Sequence, residues 1–71
     1  MIIHVSDQSL VPDLLEFLER QPDVIAARAG DDEIHVSLLG SRRQPWNRME
    51  LALRVRAWQA GRENVAVEIR A

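Results

Sequence analysis

Hydrophobic residues recur along this 71-residue chain in six successive segments whose period alternates between two and about 3.6, and that order limits the folds open to it. Ile2, Ile3 and Val5 form a short β-branched run that stops at Ser6-Asp7-Gln8-Ser9, where short polar side chains can cap a helix or close a turn. From residue 10 to about residue 21, Leu10, Val11, Leu14, Leu15, Phe17 and Leu18 recur at three- and four-residue spacing. Asp13, Glu16, Glu19 and Arg20 take the other side, so the segment is predicted to be an amphipathic helix. Pro12 suits its first turn, where a missing N–H has no partner to lose, and Pro22 blocks its continuation.

Residues 24–29 then lead into Gly30-Asp31-Asp32, and residues 33–39 alternate Ile34, Val36 and Leu38 against His35 and Ser37. This predicts two strands joined by a tight turn. Residues 40–44 read as a loop, Pro45 is placed to open a second helix running to about Ala60, and Gly61 stands just past its end. After the break at Asn64, Val65, Val67 and Ile69 alternate with Ala66, Glu68 and Arg70 in a last strand.

The order βαββαβ resembles the ferredoxin-like split βαβ arrangement. It implies an α+β two-layer sandwich, a four-stranded antiparallel sheet with two helices on one face. Right-handed crossovers put the first and third strands in the centre and the second and fourth at the edges. Residues 1–71 are read as a single α+β domain, since a chain of this length has room for one core. Period-two alternation points Ile3, Val5, Ile25, Ala27, Ile34, Val36, Leu38, Val65, Val67 and Ile69 at the helices. Ile2, His4, Ala26, Arg28, His35, Ser37, Ala66, Glu68 and Arg70 fall on the open face.

With no cysteine in the chain, disulfides, thiolate nucleophiles and thiolate metal sites are excluded, and a cytoplasmic setting is expected. No basic stretch followed by an apolar run opens the sequence, and no run is apolar for long enough to cross a membrane, so neither export signal nor membrane partner is expected. The serines lack a GxSxG setting, the acids have no pairing spacing, and three glycines build no phosphate loop. A non-enzymatic chain without a cofactor is the expectation.

His4 and His35 fall on the two strands expected at the centre and on the same face, which makes them a candidate open-face site for a small molecule or a metal sensor. A complete metal site is not expected, because more ligands would be needed and Glu68 is the one acid placed on that face. Heavy-metal-associated domains share this topology but hold metal through a CxxC after the first strand, where this chain has Ser6-Asp7-Gln8-Ser9. RNA-recognition motifs also run βαββαβ but stack bases on central-strand aromatics, whereas Phe17, Trp46 and Trp58 all fall on predicted helices.

Charge is divided unevenly. Residues 1–40 carry a net −6 and residues 41–62 a net +5, from Arg42, Arg43, Arg48, Arg54, Arg56 and Arg62 against Glu50. Such a flank is a candidate surface for phosphate or for an acidic protein, though the overall charge of −2 disfavours sequence-independent nucleic-acid binding.

The second helix is the most informative segment. Trp46, Met49, Leu53, Ala57 and Ala60 share one stripe at 100° per residue, and Leu51, Val55 and Trp58 form another roughly opposite. Only one stripe can lie on the sheet. The other packs on the first helix, stays exposed or meets a partner. The leading expectation is therefore a non-catalytic, self-associating protein-interaction or regulatory domain, with Arg42, Arg43, Trp46, Arg48 and Trp58 as candidate contact residues. The alternative is a nucleic-acid-binding accessory domain working through the same arginines.

Overall fold

A computed structural model of the chain describes residues 1–39, 44–62 and 64–70, and the side chains of all of these except 44–46. The strands are β1 (Ile2–Val5), β2 (Val24–Arg28), β3 (Glu33–Leu38) and β4 (Val67–Arg70), and the α-helices are α1 (Val11–Glu19) and α2 (Gln44–Gln59). All strand pairs are antiparallel and the order is β2-β3-β1-β4, with β1 and β3 in the centre as expected. Both helices lie on one face, because one cluster joins Ile3, Val5, Ile34 and Val36 of the sheet to Val11, Leu14 and Leu18 of α1 and to Leu51, Val55 and Trp58 of α2. The result is a small two-layer α+β sandwich.

Local chemistry explains the element ends. Asp7 accepts hydrogen bonds from the Ser9 amide (3.0 Å) and hydroxyl (2.6 Å), capping a single 3-10 turn (Gln8–Leu10) that precedes α1, so the α-helix starts one residue later than its apolar pattern suggests. Pro12 sits in the first turn of α1. The Arg28 guanidinium donates to the carbonyls of Gly30 and Asp31 and holds the turn between β2 and β3. After α2 the backbone reverses through Asn64, whose φ of 59° is a left-handed conformation that asparagine tolerates better than most residues. β4 begins at Val67 rather than Val65, although Val65 still packs against the core.

The face assignment holds for β1, β3 and β4 but not for β2. Val24 is buried and Ala26 half-buried, whereas Ile25 is 56% exposed and Ala27 lies on the open face. The pairing Val24↔Leu38 and Ala26↔Val36 fixes this, since residues opposite one another share a face and Val36 points inward. Ile25 and Ala27 are thus outside, and Ala26 and Arg28 are not on the open face.

Trp58, a candidate contact residue from the sequence, is only 4% exposed and belongs to the core. The Leu51, Val55 and Trp58 stripe is the one that seals α2 to the sheet. Truncating the fully buried Leu51 to Ala is expected to cost about 2–5 kcal/mol, and Ile25→Ser to stay within about 0.5 kcal/mol of the parent. Urea unfolding of the two variants checks both the core and the corrected face of β2; an Ile25 variant as damaging as the Leu51 variant would refute the correction.

Candidate functional site

The basic flank comes first, because it carried the strongest charge signal. Arg54 reaches from α2 to the segment after α1, binding Asp23 with both nitrogens (2.8 Å each) and Gln21 at 2.8 Å, and it also bonds Glu50 one turn back at 3.0 Å. The hydrogen bonds from Arg54 hold the Asp23 carboxyl below the usual carboxylate range, outweighing partial desolvation, and the same contact raises the guanidinium further. Arg62 ties the other end of α2 to α1: it pairs with Asp13, donates to the Trp58 carbonyl at 2.9 Å, and stacks 4.3 Å from the centre of the Trp58 ring. Arg48 donates to the Ile69 carbonyl on β4 at 3.1 Å. Three arginines of the expected flank therefore act as struts within the fold. Arg42, Arg43 and the side chain of Trp46 lie outside the described residues.

On the open sheet face, His4 and His35 share a side but are not opposite one another. His4 faces Glu33 on β3 and Glu68 on β4, while His35 faces Ile2 and Ala27. The two imidazoles are diagonal neighbours, and the His4 Nε2 is engaged by Asp32 at 2.7 Å. Among the described residues no group of three His, Asp or Glu side chains is placed to hold a metal ion.

A different surface stands out along the second stripe of α2. Met49 is 54% and Leu53 59% exposed, and they border a groove of about 430 Å³ between α2 and β4, lined also by Arg56, Gln59, Val67 and Ile69. Among the described residues β4 pairs with β1 alone, so its far side is a sheet edge there. The hydrogen bond from Ser6 N to Ala66 O and the Ile3↔Ile69 register turn the backbone groups of residues 66, 68 and 70 toward β1. Those of Val67 and Ile69 point outward.

The edge is guarded at both ends from α2: Arg48 covers the Ile69 carbonyl, and Gln59 covers the Val65 carbonyl at 3.3 Å. Between these caps the N–H and C=O of Val67 face out beside Met49 and Leu53. The helical spacing places Met49 and Leu53 on one stripe, but the hydrogen bonds of Gln59 and Arg48 to the Val65 and Ile69 carbonyls are not legible in it. Only the register of β4 shows which carbonyls need a donor.

The chain matches no protein-family model, no curated protein and no solved structure. The surfaces are therefore read from their own chemistry.

The Arg54 and Asp23 pair gives a pH-dependent signature. A carboxyl whose folded pKa lies below its unfolded value contributes stability above the unfolded pKa, and loses it as pH falls through the folded one. Arg54→Gln is expected to destabilise the protein at neutral pH, and the gap from the parent should shrink once the pH passes well below 3.8, the ordinary value for Asp23. NMR titration of the Asp23 carboxyl should show its pKa rising in the variant; an unchanged titration would mean the pair does not hold it.

Proposed function

We propose that this chain is a non-catalytic protein-interaction domain that self-associates through the α2–β4 surface. The observation that carries the reading is the placement of two large, more than half-exposed apolar side chains, Met49 and Leu53, beside an edge strand whose outward backbone groups are only partly capped. Covering the exposed half of a side chain of this size yields about 1–1.5 kcal/mol, a useful increment for so short a chain. Exposed apolar area next to unpaired backbone is the composition of a protein contact rather than of a solvated face. The absence of cysteine suits a cytoplasmic setting for such a domain.

The competing readings have less support among the described residues, while Arg42 and Arg43 lie outside them. Nucleic-acid binding rested on a basic flank, and Arg48, Arg54 and Arg62 are committed to Ile69, Asp23 and Asp13. A sensor on the open face rested on His4 together with His35, and His4 is committed to Asp32.

Sedimentation velocity over a micromolar to millimolar range tests the proposal. The parent is expected to shift reversibly from monomer to dimer, and Leu53→Glu to remain monomeric with an unchanged far-UV spectrum and urea midpoint at low concentration. A parent that stays monomeric throughout, or a Leu53→Glu variant that associates as the parent does, would refute it.

A further inference from the structure

We infer that the second copy joins edge to edge, β4 antiparallel to the partner's β4, in the register that sets Glu68 of each chain opposite the partner's Arg70 and merges two four-stranded sheets into one. This rests on the self-association reading above and names the contact within it.

Backbone geometry narrows the choice first. Val67 and Ile69 present their N–H and C=O outward, so an added antiparallel strand must set odd-numbered residues against odd-numbered ones. Among the two-fold registers that satisfy this, those centred on Val67, Glu68 and Ile69 set described β4 residues against described residues of the partner. A two-fold axis at Val67 would put Glu68 against the partner's Ala66 and Arg70 against the partner's Asn64, with no charge gain. An axis at residue 68 would put Glu68 against the partner's Glu68, a like-charge contact. An axis at Ile69 puts Glu68 against the partner's Arg70 twice over, once in each direction.

Among the described residues the last register has one hydrogen-bonded pair, Ile69 with the partner's Ile69, and its advantage lies in the charges. Its charged pairs fall at non-hydrogen-bonded positions, where opposed Cα atoms are about 4.5 Å apart and side chains lie nearest. Within each chain Glu68 and Arg70 are already paired at 2.9 Å, so joining two copies creates four alternating charges. A network of this kind gains more than isolated surface pairs do. The Arg70 guanidinium holds the Glu68 carboxyl in its ionised form, and His4 opposite it adds to that preference.

On the other face, α2 runs antiparallel to β4, with Arg48 over Ile69 and Gln59 beside Val65. An axis at Ile69 therefore brings the Met49 end of α2 next to its symmetry mate. The Ile69 carbonyl can keep its Arg48 donor and accept from the partner as well, because a carbonyl oxygen has two lone pairs.

Sedimentation equilibrium on charge variants tests the register. Glu68→Arg alone would set arginine against arginine, and Arg70→Glu alone would set glutamate against glutamate; each is expected to weaken the dimer roughly tenfold or more. Mixing the two single variants in equal amounts should restore dimerisation as a heterodimer, and E68R/R70E in one chain should restore the homodimer. Dimerisation that Leu53→Glu abolishes but the charge variants leave untouched would overturn this register while sparing the self-association reading. Single variants that weaken without recovering on mixing would overturn it too. A monomeric parent would remove both.

Discussion

Helix α2 is attached to the sheet by a narrow apolar stripe of Leu51, Val55 and Trp58, and much of what is distinctive in this fold follows from that narrowness. A stripe three residues wide in sequence terms cannot by itself fix the helix against rotation or sliding. Polar struts supply the constraint: Arg54 to Asp23, Arg62 to Asp13, Arg48 to the Ile69 carbonyl and Gln59 to the Val65 carbonyl. The first two tie α2 to α1 and the segment following it, and the last two tie it to β4. The helix is held at both ends and on both sides.

The same arrangement governs the surface. Because the struts use the flanks of α2, the stripe carrying Met49 and Leu53 is turned away from α1 and left beside the outer edge of β4. A broader buried stripe would have taken these residues into the core, and there would be no apolar groove. The interaction reading and the economy of the core thus have one origin.

Much of the architecture could be read from residue spacing, with instructive exceptions. In β3, Ile34, Val36 and Leu38 alternate with Glu33, His35 and Ser37, and only one face can be buried. In β2 the run Val24-Ile25-Ala26-Ala27 is apolar on both parities, so periodicity gives no preference, and the bulk of Ile25 points to the wrong side. Pairing with β3 decides instead. For α2, the existence of two apolar stripes was legible, but which one meets the sheet depends on the geometry of the whole layer. The arginines show a similar split: their excess between residues 41 and 62 is visible at once, whereas the Ile69 carbonyl, Asp23 and Asp13, which Arg48, Arg54 and Arg62 bind, lie 21, 31 and 49 positions away and emerge only on folding.

Trp58 presents one further consequence. Its indole Nε1 is enclosed and makes no hydrogen bond among the described residues, an omission that typically costs about 1–3 kcal/mol. The ring is therefore retained for its area and for its stacking with Arg62, not for its nitrogen. A purely hydrocarbon aromatic would relinquish some of that area yet relieve the stranded proton, so two opposing effects meet at this one position of the seal between α2 and the sheet.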